Sequence, residues 1–378
     1  VPLHRDLRAL GALEHDLLVV GGGIHGAFVA WDAAQRGLAV ALVEGRDFGG
    51  GASWNSLKTI HGGLRHLQRG ELAGLRESAR ERRALLRIAP ALVRPLPVLV
   101  PVYGHGTRGR EVFAAGLRLH DLLSADRNAG RGPDPHIPGA RMLASAEVRE
   151  RLPGLARARG LTGGALWYDA QVTSSERLLV AVLRAAAEAG AQAANHAEVI
   201  DILRLGTRVV GAAVRDREGG GTCEVRARVM VNATGAASDR LAVLAGVRQA
   251  AMPLLRGSNL VLRRPVVEGQ AVGARAAGRY FFLAPWRGQA LLGTEYVGVE
   301  HPRDDARRLL AAAAVAFPWA DLGEADVALV HRGLVPGMTP ARLWSRSRVV
   351  DHEDEHGVAG LISLRSVKYT TARAVAAR

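Results

Sequence analysis

The residues best equipped for chemistry near the start of this chain are four glycines and one acid. Gly21, Gly22, Gly23 and Gly26 follow directly on the apolar run Leu-Leu-Val-Val, and small residues at Ala27, Ala30, Ala33 and Ala34 come after them. In a strand, turn and helix of this kind Gly21 takes the tight turn and Gly23 lets backbone approach a pyrophosphate. Gly26 lets the helix lie on the sheet, with its first N–H groups aimed at phosphate oxygens. Glu44 ends a second apolar run, 38–43, at the distance where a carboxylate meets ribose hydroxyls. Together these read as a dinucleotide site.

A second group of polar residues lies just downstream. Ser53, Asn55, Ser56, Lys58, His61 and Arg65 are set among Gly49–51, Gly62 and Gly63, a composition that reads as a long loop. Such side chains can reach a flat polar ring and an anionic substrate together. Positioning them requires a sheet that the chain visits more than once. The apolar strand 228–233 runs into Ala233-Thr234-Gly235 and a helix from 238, which reads as a second visit; strand 360–364, the turn at Lys368 and the helix after it read as a third. Ser174 caps a helix over 175–189, and strands follow at 192–200 and 208–214. Residues 252–262 and 279–290 predict a second, largely antiparallel sheet with a hairpin turn at Arg287-Gly288-Gln289, joined by strand 327–336, which bears His331 and Arg332. Around the apolar face of a helix over 71–86 stand Arg76, Arg80, Arg82, Arg83 and, just past its end, Arg87, which read as a solvated face with Glu77 and Glu81 as partners. Prolines 90, 95, 97 and 101 read as breaks around a short strand at 98–100, at a first domain crossing.

At 378 residues the chain exceeds the size of a single core, so two domains are expected. Its one cysteine, Cys223, excludes an internal disulfide framework and a cysteine-based metal site, and no metal is expected. No run reaches the roughly 18 apolar residues of a membrane span, and the first residues lack a signal-peptide core; a soluble, cytoplasmic chain is expected. The formal charge is +14, yet of the 50 basic residues only Lys58 and Lys368 are lysines. The arginines are scattered and not interleaved with aromatics, which argues against nucleic acid and leaves weak attraction to anionic membrane headgroups.

The glycine fingerprint, Ser56-Leu-Lys-Thr-Ile-His-Gly-Gly-Leu-Arg65, Asn232-Ala-Thr-Gly235, Arg256-Gly-Ser258 and Lys368-Tyr-Thr-Thr371 occur in an order that resembles FAD-dependent glycerol-3-phosphate dehydrogenases and oxidases, within the D-amino-acid-oxidase-like flavoproteins. The resemblance implies an α/β fold. It would have a Rossmann-like FAD-binding domain (1–95, 166–248 and 355–378) and an inserted α+β substrate domain (96–165 and 249–354) with a mostly antiparallel sheet. It also implies that Gly21, Gly22, Gly23, Gly26 and Glu44 hold the ADP half of FAD. Val199 would border the adenine, and Ala233, Thr234 and Gly235 would pass the pyrophosphate. Ser53, Ser56, Leu57, Lys58, Gly62 and Gly63 would line the flavin, with Lys368, Tyr369 and Thr370 at its pyrimidine edge.

Three departures from the family pattern stand out. Val335 occupies the place of the family's substrate arginine, Asn259 that of a histidine, and Ser366-Val367 that of two glycines. The chain also stops just after Thr371, where many relatives carry a helical domain. The expected activity is hydride transfer from a small hydroxylated anion to FAD and then to quinone or oxygen. Arg65 and Arg332 are the candidate clamps, Arg256 a lesser one, and Lys368, His61 and Asn259 the polar partners. A 2-hydroxy acid, sugar phosphate or amine as substrate, and a flavin-binding partner protein with little turnover, are the alternatives.

Overall fold

The computed structural model describes residues 2–378 apart from 68, 69, 107, 108, 131–135, 340, 341, 345 and 367; for Arg65 it describes the backbone alone. The described residues form two sheets, of eight and ten strands. The first has a parallel centre in the order Leu361–Arg365, Thr222–Asn232, Glu14–Val20, Val40–Val43 and Gln192–Ala194. Because these strands run the same way, the chain leaves Val20, Asn232 and Arg365 at one common edge. The three visits expected from sequence thus converge there. Ile24–Gln35 packs on this sheet through Ala27, Ala30, Ala33 and Ala34, all buried, and against the Ser175–Glu188 helix. Ser174 Oγ caps the latter by accepting from Arg177 N at 3.2 Å.

The second sheet runs in the order Arg342–Leu343, Val327–Thr339, Leu254–Leu262, Gln289–Gly298, Arg279–Trp286, Ala271–Ala276, Val93–Tyr103, Leu161–Val172 and Thr59–Ile60. Arg287 and Gly288 both have positive φ, as a two-residue hairpin turn requires. The prolines of Val93–Tyr103 do not break it. Pro95, Pro97 and Pro101 share one parity, so their missing N–H groups fall on one flank while the strand pairs along its length with Leu161–Val172.

Leu161–Val172 belongs to this second sheet, whereas the Ser175–Glu188 helix that follows packs on Ile24–Gln35 beside the first. Arg348–Asp351 pairs with Leu361–Arg365 and carries the first sheet back before the expected 355. The Asp305–Ala316 helix covers one face of the second sheet, over Leu260, Leu262, Phe281, Leu283 and Leu292. The other face looks towards the loop of residues 45–58, where Leu57 packs on Val261 and Leu291.

Candidate active site

At the common strand edge the glycines behave as turn geometry demands. Gly21 has φ +110°, and a Cβ on it would lie 2.7 Å from Ala233 O; a Cβ on Gly26 would lie 1.9 Å from Gly21 O. Any larger residue would force turn and helix apart. Gly22 N donates to Glu44 Oε2 and Arg46 N to Glu44 Oε1, each at 2.8 Å, which fixes the carboxylate beside the turn. Each oxygen keeps a lone pair for a ribose hydroxyl. Ser53 Oγ accepts from Ile24 N at 3.0 Å and so closes the loop onto the helix start. Ala233 N donates to Val20 O, Thr234 Oγ1 to Asn232 Oδ1, and Gly235 turns away with φ +59°. Ala197 N donates to Glu44 O, and Val199, two positions further along the Ala197–Leu205 strand, packs against the core cluster that includes Val20 and Val43.

The polar loop and the last strand meet beside this cradle. His61 N donates to Thr370 Oγ1 at 3.1 Å, and Gly62 N donates to Asp169 Oδ1 at 2.7 Å. His61 Nδ1 lies 3.3 Å from Asp169 Oδ2, and its ring is open to water. Burial pushes the Asp169 carboxyl up. The hydrogen bond and charge of His61, together with Arg82, outweigh this and hold it below its ordinary value. Behind Asp169 lies Arg82, 1% exposed, with Nη1 donating to Tyr168 O and lying 3.7 Å from Asp169 Oδ1. A Cβ on Gly62 would fall 2.1 Å from Arg82 Nη1, and one on Gly63 2.8 Å from Leu75 Cα. The Gly-Gly pair therefore lets the loop lie directly on the Leu72–Ile88 helix. His25, on the first turn of Ile24–Gln35, is bonded to the backbone of Lys368; burial draws its pKa down to about 4 and keeps it neutral. Its Nε2 is buried with no protein partner among the described residues. Tyr369 OH donates to Ser175 O at 2.9 Å.

Several expected roles change. Arg332 leaves the set of clamps: on the Val327–Thr339 strand His331 and Gly333 face the loop, near Trp54 and Ala52, so Arg332 faces the other way and donates to Asp305 Oδ2 at 2.6 Å. Arg256 shares that carboxylate, donating to Asp305 Oδ1 at 3.1 Å. Val335 has the parity of His331 and Gly333, so the sheet face towards the loop carries a valine there. Lys58 also departs from the expected flavin contact. Its fully buried ammonium donates to Trp54 O and Ser175 Oγ at 2.7 Å and to Glu176 Oε1 at 3.0 Å, so its three donors are used in pinning the loop to the Ser175–Glu188 helix.

Ser56 Oγ accepts from Lys58 N, and Leu57 is buried against the second sheet. Asn259 is buried, accepts from Thr294 Oγ1 at 2.7 Å and lies 3.5 Å from Asn55 O. The Arg65 side chain and Val367 lie outside the described residues. Arg82 and Glu81 overturn the solvated-face reading, since both are buried and Glu81 pairs with Arg373. Sequence reasoning missed Asp169, His66 and His25. Asp169 had a signal, as the lone acid in the apolar run 165–172.

Comparison with known proteins bears on this geometry. A family model described as FAD dependent oxidoreductase matches residues 16–376. Glycerol-3-phosphate dehydrogenase 2 of Mycobacterium tuberculosis is 35% identical over 98% of this chain and 63% of its own length. A glycerol-3-phosphate dehydrogenase of Synechocystis is 34% identical over 98% of this chain and 70% of its own. The X-ray structure of the Bacillus halodurans glycerol-3-phosphate dehydrogenase complexed with FAD superposes with a TM-score of 0.75 at 27% identity, covering 98% of this chain and 64% of that one. The chain thus spans less than two thirds of the length of the mycobacterial relative.

Proposed function

The chain belongs to the FAD-dependent oxidoreductase family, and from that membership we propose that it oxidises a small hydroxylated anion, with glycerol-3-phosphate the first substrate to test, and passes the electrons to quinone or oxygen. The observation that carries the reading is the convergence at one strand edge of the glycine turn, Ala233-Thr234, His61-Gly62 and Lys368–Thr370, in a chain about 35% identical to glycerol-3-phosphate dehydrogenases.

The residues present fit FAD. The space beside Gly21–Gly26 admits no Cβ at the turn, Glu44 is fixed beside it, and His25 Nε2 is a buried polar atom in want of a partner. When bound, FAD supplies the two-electron acceptor. Gly21, Gly22, Gly23 and Gly26 would hold its phosphates at a helix N-terminus, and Lys368 to Thr370 its pyrimidine edge. His61, braced by Asp169, and Lys368 are the groups placed to take a hydroxyl proton, and Arg65 is the remaining expected clamp. A discontinuous FAD-binding domain and a substrate domain, with the crossing near Ser174, belong to the same proposal.

No helix among the described residues is long and apolar enough to cross a membrane; a cytoplasmic location is part of the proposal, as is peripheral attachment to anionic headgroups, which the charge of +14 supports. A second reading, FAD with a 2-hydroxy acid or amine as substrate, is favoured by one observation: Val335 faces the loop while Arg332 and Arg256 are tied to Asp305 on the opposite face. The test is anaerobic addition of sn-glycerol-3-phosphate to the purified, FAD-loaded protein. Rapid bleaching of the flavin supports the first reading. A flavin that stays oxidised with this substrate and bleaches with a 2-hydroxy acid or an amine supports the second.

A further inference from the structure

Two titratable side chains stand in line behind Lys368. Lys368 Nζ lies 2.8 Å from His66 Nε2, and His66 Nδ1 lies 2.6 Å from Glu71 Oε2. An ammonium has only donors, so Nε2 accepts; the ring proton then sits on Nδ1 and is donated to the carboxylate. The surroundings are shaped to this ring. A Cβ on Gly74 would come 2.8 Å from His66 Nδ1, so the helix lays bare backbone against the imidazole. Exposure rises outward along the line, from 10% for the His66 side chain to 21% for that of Glu71.

We propose that Lys368, His66 and Glu71 form a proton relay from the active site to water, with His66 and Glu71 as positioning residues that let Lys368 exchange its proton; its use in turnover rests on the reading that the site oxidises a C–OH group. As an Nζ proton moves to His66 Nε2, the Nδ1 proton moves to Glu71, leaving an amine at Lys368. The substrate's C–H bond breaks with its electron pair, hydride passing to FAD. The O–H bond breaks, its proton going to the Lys368 amine, and a C=O bond forms. Glu71 then releases its proton to water, so that one proton has passed from substrate to solvent, and the His66 ring, now protonated on Nε2, returns to its Nδ1–H tautomer by proton exchange with water before the next turnover.

The chain's two lysines make the test simple, because lysine labelled with 13C at Cε gives two signals. Glu71→Gln is expected to move the pH titration of the Lys368 signal by about half a unit or more, leaving that of Lys58 in place as a check on the fold. In a His66→Phe background Glu71→Gln is expected to have no further effect. A Lys368 signal that ignores Glu71→Gln, or responds equally without His66, overturns the relay. With a substrate that bleaches the wild-type flavin, His66→Phe is expected to slow reduction on the order of a hundredfold at neutral pH, with KM little changed. An unchanged rate overturns the relay as well. A wild-type flavin that glycerol-3-phosphate fails to reduce removes the substrate reading alone, since the lysine spectra decide the coupling by themselves.

Discussion

Asp169→Asn tests the structural reasoning at its most exposed point. Arg82 is a guanidinium 1% exposed to water, and the Asp169 carboxylate is the acid within salt-bridge distance of it among the described residues. Its Nε and Nη2 have no hydrogen-bond partner there. Asparagine keeps an oxygen for Gly62 N and removes the charge, leaving Arg82 with Tyr168 O. Breaking a buried pair from one side costs about 3–5 kcal/mol. Over 378 residues an unfolding entropy near 0.8 kcal/mol per degree converts this into a fall in Tm of about 4–6 °C.

The assay is thermal unfolding of the FAD-loaded protein with three variants: Asp169→Asn, Arg82→Met and the double change. If uncompensated charge is the cause, the double variant melts above Asp169→Asn, because both charges are then gone from the interior. The reasoning is refuted if Asp169→Asn melts within about 1 °C of wild type, or if adding Arg82→Met lowers Tm further.

Three other outcomes follow from the geometry. Gly26→Ala, whose Cβ would meet Gly21 O at 1.9 Å, is expected to purify without flavin, read as the ratio of visible to protein absorbance. Val335→Arg places a guanidinium on the loop-facing side of its strand, and a charge-assisted contact is expected to lower KM for glycerol-3-phosphate about tenfold to a hundredfold; an unchanged KM speaks against phosphate at that position. His352 is buried beside His356, and burial draws its pKa down to about 4. An unfolded histidine takes up its proton near 6.5, so between pH 6.5 and 4 the unfolded state binds more protons. Stability therefore falls as pH drops through that window, by on the order of 3 kcal/mol from this group. His352→Gln should flatten the decline measured by denaturant unfolding.

What the sequence revealed and what it hid divide along physical lines. The glycine turn, the hairpin at Arg287-Gly288 and the helix cap at Ser174 were legible because each is set by the backbone needs of a few adjacent residues. Arg332 stands at an odd offset from Val335, which on a strand puts it on the far face, and the structure ties it there to Asp305. The short strands Ala271–Ala276 and Arg141–Ala144 were not legible, since small or charged residues give little alternating signal and their neighbours in the sheet define them.

Arg82 is the instructive failure, because its spacing was visible. Leu75, Ala79, Arg82 and Leu86 stand at helical intervals of four, three and four, so periodicity placed Arg82 in the apolar stripe and residue type argued it out again. Residue type lost because the compensating acid is supplied by Asp169, 87 positions later on another element. The same holds for Lys368 and His66, separated by 302 residues and joined by a single hydrogen bond. A periodic pattern reports which side of an element is covered. What covers it, and whether a buried charge is matched there, depends on long-range pairing that no local pattern contains. In this chain the groups proposed to carry protons, His61 with Asp169 and Lys368 with His66, are both pairings of that kind.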